Sequence, residues 1–277
     1  MAVNITSQFL ALLLSATIPA SLQADDLPLP VISPSEMPKA VALEEMRLHD
    51  LELAPDSEAR DEILHRISRR DGANTGPEFF ALARKTKRPD ARASLIEALG
   101  RIGYMPAAPY MIESLHSPST KLRQSAASAL GMLRYKPAEP ALLHSLAADP
   151  DEDTVFEVLR ALKTLKSHAA SSPLKARIQS ASAERCIGLL QYMGDPDIGS
   201  AGDIPFLAQY LYKGSKDSEL EAAKGIARLS GADFGFVWPY DDNSAMPYVG
   251  PAPPEDYAPV MKARQWWDDN RHLYPVQ

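Results

Sequence analysis

The sequence contains one cysteine, Cys186, in 277 residues, so no intrachain disulfide framework holds it together. That thiol lies beside Ile187, Leu189 and Leu190, the setting of a buried structural group; a nucleophilic thiolate needs an electropositive, partly open site. Basic charge is also short: 29 Lys and Arg against 36 Asp and Glu give a net charge of −7, which argues against general nucleic-acid binding. The histidines His49, His65, His116, His144, His168 and His272 are scattered without the H-x-x-x-H or H-E-x-x-H spacing that sets two imidazoles on one helical face. There is no C-x-x-C, phosphate loop or G-x-S-x-G. The sequence therefore assigns no catalytic residue, no metal and no cofactor. Asp241, Asp242 and Asn243 read as an acidic turn rather than a cation site.

Long apolar runs are missing as well. The stretch from Phe9 to Ala20 is apolar but too short to span a membrane, and SLQADD follows it. It reads as a secretory signal peptide over residues 1–24 with cleavage after Ala24, although no Lys or Arg precedes Phe9. The expected location is the periplasm or the medium, with no membrane span once the signal is removed. Four prolines between residues 25 and 43 mark an extended linker, and a linker with an N-terminal helix is assigned to 25–55.

What is abundant is repetition. ALGRIG at 98–103 returns as ALGMLR at 129–134 and, degraded, as ALKTLK at 161–166. PAAPYMIESL at 106–115 is echoed by PAEPALLHSL at 137–146, and Pro89, Pro118 and Pro150 each open a unit. The step, from 98 to 129 and again from 129 to 161, is that of a helical solenoid. Each unit reads as an antiparallel helix pair. Helix A carries Leu95, Ile96, Leu99 and Ile102 and ends at Gly103; helix B starts after Pro106 and Pro109 with Tyr110, Met111, Ile112 and Leu115. Leu99, Leu130 and Leu162 take corresponding core places on successive A helices. Leu64, one period before Leu95, extends the register upstream, so the array is assigned to 56–231, with later helices at 182–193, 204–213 and 217–229.

The unit with Asp or Ser after a proline, an Arg near its fourth position (Arg92, Arg123), A-L-G and a proline-started second helix resembles the short bacterial HEAT-like repeats of the bilin-lyase type. Tetratricopeptide and ankyrin arrays have similar periods, but neither W-x-x-L-G-x-x-Y nor T-P-L-H-x-A occurs. The resemblance implies an all-α, right-handed α-solenoid. Residues 232–277 are of another kind. Leu229, Ser230, Gly231, Phe234, Gly235, Trp266, Trp267 and Asn270 resemble the L-[ST]-G-x-x-F-G and W-W closing segment of bacterial HEAT-repeat proteins. An end unit must cover its apolar edge, so Phe234, Phe236, Trp238, Trp266 and Trp267 are expected to form an aromatic cap.

A solenoid without catalytic groups is expected to be a scaffold or adaptor for a protein or peptide. The expected surface is helix B away from its apolar stripe: Glu113, His116 and His144, with Tyr210 and Lys213. Glu113 and His144 are equivalent, one period apart. Two other readings stay open. The resemblance implies an enzyme or enzyme accessory of the bilin-lyase type, and the basic run Arg84, Lys85, Lys87, Arg88 and Arg92 would serve nucleic acid in a cytosolic chain.

Overall fold

A computed structural model describes residues 37–72, 75–236 and 257–274. The expected signal peptide 1–24, residues 25–36 of the expected linker, and residues 237–256 with Trp238, Asp241, Asp242 and Asn243 lie outside the described residues. The chain divides into two units, Met1–Glu45 and Met46–Gln277. The first contributes the start of α1 (Met37–Leu53); the second contains everything below.

The described residues form α-helices and short 3-10 turns, with no strand. After α1 come α2 (Ser57–Asp71), α3 (Thr75–Lys85), α4 (Pro89–Arg101), α5 (Ala108–Ser114), α6 (Thr120–Met132), α7 (Glu139–Ala148), α8 (Glu152–Thr164), α9 (Ser171–Ser180), α10 (Ala183–Met193), α11 (Ile204–Tyr210), α12 (Lys216–Ser230) and α13 (Ala258–Asn270). None is long and apolar enough to cross a membrane. Helices α2, α4, α6, α8, α10 and α12 are the A series; α3, α5, α7, α9 and α11 are the B series. The second unit is thus an α-solenoid of helix pairs. Residues ahead of Asp56 already pack with it: Leu51 is buried and Arg47 pairs with Glu78 at 2.9 Å.

Local chemistry starts and stops each A helix at a regular interval. Asp56, Ser119, Asp151, Ser182 and Ser215 are N-caps whose side chains accept backbone N–H groups, and Arg88 stands at the same place ahead of Pro89. The first cap-to-cap step, 56 to 88, is one residue longer than the next, 88 to 119. Leu64 therefore takes the place of Ile96 rather than Leu95, and all three are buried. Helices α4, α6 and α8 end in one hydrogen-bond pattern, with Tyr104 N donating to Leu99 O, Tyr135 N to Leu130 O and Ser167 N to Leu162 O. This closure requires a left-handed residue, supplied by Gly103 (φ 74°), Arg134 (φ 50°) and Lys166 (φ 55°).

Only the glycine takes that conformation without steric cost. A left-handed residue with a Cβ loses about 1–2 kcal/mol, and the extra unfolded freedom of glycine returns about 0.5–1 kcal/mol of any gain. Arg134→Gly is therefore expected to stabilise the protein by up to about 1 kcal/mol in chemical denaturation, and Gly103→Ala to destabilise it by a similar amount.

The small residues of the A-L-G motif set how closely successive units stack. A methyl group added at Gly100 would lie 2.7 Å from Ala129 Cα, and one at Gly131 3.0 Å from Ala161 Cα. Glycine and alanine thus let the backbones of α4, α6 and α8 meet almost in contact. In α8 the same position is Lys163, and Tyr192 stands on α10 where α6 and α8 have Ala129 and Ala161. The backbones of α8 and α10 do not approach in this way. The Phe156 ring fills the wider step, lying against Gly188 and 6.2 Å from Tyr192. Close stacking resumes at Gly194, where an added methyl would lie 2.3 Å from Gly225 Cα.

Candidate functional site

Much of the charge that reads as a surface in the sequence is used to join units. Arg60, Arg92 and Arg123, each four residues after its helix cap, donate to the carbonyl six residues earlier: Ala54, Thr86 and Ser117. Arg123 also grips Asp149 with two bonds, Nε to Oδ2 at 2.7 Å and Nη2 to Oδ1 at 2.9 Å. Asp149 in turn accepts the backbone N–H of Asp151, and Arg177 donates to the Leu146 and Asp149 carbonyls at 2.7 and 2.6 Å. Within the basic run 84–92, Arg88 donates to the Glu52 carbonyl, Arg92 to that of Thr86, and Arg84 lies over the Phe80 ring at 5.9 Å. Arg88 and Arg92 thus tie neighbouring segments together, Arg84 packs on its own helix, and Arg84, Lys85, Lys87 and Arg88 remain exposed.

The B-helix residues are placed as follows. Glu113, His116, His144 and Lys213 are exposed, and Tyr210 is half-buried. The ring of His144 meets His116, not the equivalent Glu113, with centroids 5.9 Å apart and planes tilted by 55°. The side chain that faces its neighbour is thus one turn away from the repeat-equivalent position. Tyr210 turns toward the core, 5.5 Å from Phe206, where burial pushes its phenol pKa up. Tyr210 ends α11 and Lys213 follows it, two helix pairs beyond His144 and three beyond His116. Among the described residues no group of three or more His, Cys, Asp or Glu side chains is positioned to hold a metal. Cys186 is buried, and burial pushes its thiol up, away from the thiolate form.

The Gly/Asp-rich loop 194–203 braces the step between the α8–α9 pair and the α10–α11 pair. Asp195 pairs with Lys163 at 2.6 Å, Asp197 with Lys166 at 3.3 Å and Asp203 with Lys175 at 2.5 Å. Asp203 also accepts from Ser171 Oγ at 2.6 Å and Ser200 N at 2.8 Å. Burial works against ionisation of Asp203, but the bonds from Lys175, Ser171 and Ser200 outweigh it and hold the carboxyl below its ordinary value of 3.8. Asp151, bonded by the Thr154 hydroxyl and N–H and by Gln124, is lowered too. Both groups are more acidic folded than unfolded, so their contribution to stability is complete above about pH 4 and lost as pH falls through the folded values. The melting temperature is expected to drop on acidification below about pH 4, and Asp203→Asn to flatten part of that drop.

At the C-terminal end, Val260 and Ala263 of α13 are fully buried, and Phe234 ahead of it is buried too. Trp266 lies 5.9 Å from Phe234, and Tyr274 meets Trp266 and Trp267 with tilted rings at 6.1 and 6.0 Å. Both tryptophans are half-buried, since Val260, Ala263 and Phe234 make the innermost contact. Arg264 fastens the helix, donating to the Leu211 carbonyl at 2.7 Å and pairing with Glu219 at 3.0 Å. Sequence reading missed the Arg clamps, Asp149 and Asp203. Arginine four places after a helix cap was a usable signal for the clamps; the two aspartates meet partners 26 to 32 residues away and left no local mark.

Residues 108–194 match the family model of HEAT repeats. No curated protein matches the sequence. Among solved structures, the complex of CpcE and CpcF of phycocyanin lyase from Nostoc sp. PCC7120 is similar at 17% identity and a TM-score of 0.44, over 73% of this chain and 78% of that one.

Proposed function

We propose that this chain is an exported, non-catalytic scaffold or adaptor that binds a protein or peptide along the B helices of its solenoid. The supporting observation is a division of labour between side chains. Arg92, Arg123, Asp149, Arg177, Asp195 and Asp203 are engaged in joining helices and units, whereas Glu113, His116, His144 and Lys213 of the B series stay exposed. A row of exposed polar groups on a rigid stack suits recognition of an extended partner. Export rests on the apolar run 9–20 and the cleavage point after Ala24, and residues 232–277 act in this reading as the closing segment of the array.

The test is to isolate the mature protein with its cross-linked partners from the cell envelope and medium. N-terminal sequencing is expected to start near Asp25. Alanine at Glu113, His116 and His144 together is expected to reduce partner recovery with the melting temperature unchanged. Retention of Met1 in a cytosolic pool would overturn the export claim, and partner recovery indifferent to all three changes would overturn the assigned face.

A further inference from the structure

The step between α2 and α4 is looser than those joining α4, α6 and α8, though closer than that between α8 and α10, and a cleft opens along it. The place that is Gly100 in α4 and Gly131 in α6 is Ser68 in α2, twelve residues after the cap Asp56. At the equivalent contact a methyl group at Gly100 would lie 2.7 Å from Ala129 Cα, so a serine side chain does not fit at that close an approach. The filler used at the other wide step, Phe156, corresponds to Asp61, five residues after the cap. The result is a cleft of about 580 Å3 whose floor includes Leu64, Phe79, Ala98 and Ile102, within the range of roughly 300–1,000 Å3 of ligand pockets.

Two features indicate what belongs there. Ile102 is 44% exposed, whereas its counterparts Leu133 and Leu165 in the next two units are 7% and 3% exposed, so one unit lacks an apolar cover its neighbours have. The rim is acidic. Asp61 is paired with Arg101 across the cleft at 3.2 Å, while Glu58 and Glu62 are exposed and have no ion pair among the described residues. The chain's own segments outside the described residues do not match this rim: 25–36 carries Asp25, Asp26 and Glu36, and 237–256 carries Asp241, Asp242, Glu255 and Asp256, with no Lys or Arg in either.

We infer that the α2–α4 cleft is a docking site for a protein segment that places a large aliphatic or aromatic side chain over Ile102 and the cleft floor, with flanking Lys or Arg residues against Glu58 and Glu62. The site rests on the reading of the solenoid as a protein-binding scaffold and adds a surface separate from the B-helix row. Desolvated apolar contact supplies the affinity, and the rim carboxylates select charge and speed encounter.

The probe is a short fluorescein-labelled peptide of alternating Lys and Leu with one Trp, titrated into the mature chain and followed by anisotropy. Two analogues replace Lys by Glu, or Leu and Trp by Ser. The Lys/Leu peptide is expected to bind and both analogues to lose binding. The double change Glu58→Gln and Glu62→Gln is expected to weaken it about threefold to tenfold, most at low salt, and Ile102→Ser to weaken it at all salt concentrations. Glu184→Gln with Asp217→Asn, exposed carboxylates on other A helices, should leave affinity unchanged. Equal loss from those control changes, or no loss from either cleft variant, overturns the site. A free protein that is dimeric and becomes monomeric on Ile102→Ser would show a second copy as the occupant and overturn the peptide assignment. Loss of peptide binding with partner recovery intact at the B-helix row removes the cleft alone; the converse removes the row alone.

Discussion

Asp149→Ala is expected to destabilise the protein by about 3–5 kcal/mol, the usual cost of leaving one charge of a buried pair without its partner. The Arg123 and Asp149 side chains are 11% and 3% exposed, and two bonds join them. Without the carboxylate, the guanidinium keeps only the Ser117 and Pro118 carbonyls, and Asp151 N loses its acceptor at the start of α8. Chemical denaturation of Asp149→Ala, of Arg123→Met and of the double variant separates these effects. The double variant should recover part of the loss, because it leaves no buried unpaired charge. A loss under about 1 kcal/mol for Asp149→Ala, the range of exposed pairs, would mean that the pair is solvated in solution.

Leu130→Ala is expected to cost about 2–5 kcal/mol, as for other large-to-small core changes. Leu130 has no exposed surface and lies beside Gly131, where α6 and α8 pass closest. That backbone contact limits collapse around the missing atoms, so the cavity persists. Leu99, at the same place on α4 and equally buried, should behave alike. Met132, two residues on and 46% exposed, provides the contrast: Met132→Ala should change stability by about 0.5 kcal/mol or less. Equal effects at 130 and 132 would mean that the register of α6 is shifted.

These two expectations differ in how readable they were from the sequence. The place of Leu130 follows from the repeat alone, because the A-L-G period and the helical spacing of Leu122, Ala126 and Leu130 specify one face of one helix. The importance of Asp149 does not, since its partner is 26 residues away on another helix. The B-helix row was partly readable: the exposure of Glu113, His116 and His144 follows from the apolar stripe, but the meeting of His116 with His144 depends on how far α7 is rotated against α5. Tyr210, grouped with that row by periodicity, turns toward Phe206.

By itself the sequence determined that the chain stacks helix pairs at a nearly constant period and about where the A helices start, whereas the helix assigned to 204–213 stops at Tyr210. Those properties depend on cap residues, prolines and apolar spacing within one turn or one unit, which are local. Only the tertiary structure decided how tightly each pair of units closes. Closure depends on the sum of two side-chain sizes that meet across a step: Gly100 with Ala129, Gly131 with Ala161 and Gly194 with Gly225 close, whereas Lys163 on α8 and Ser68 on α2 hold their steps open. One open step is filled by Phe156 and braced by Asp195, Asp197 and Asp203, and the other is left as an acidic-rimmed cleft. Backbone approach at van der Waals distance magnifies a difference of two side-chain atoms, glycine against serine, into the presence or absence of a surface for a partner.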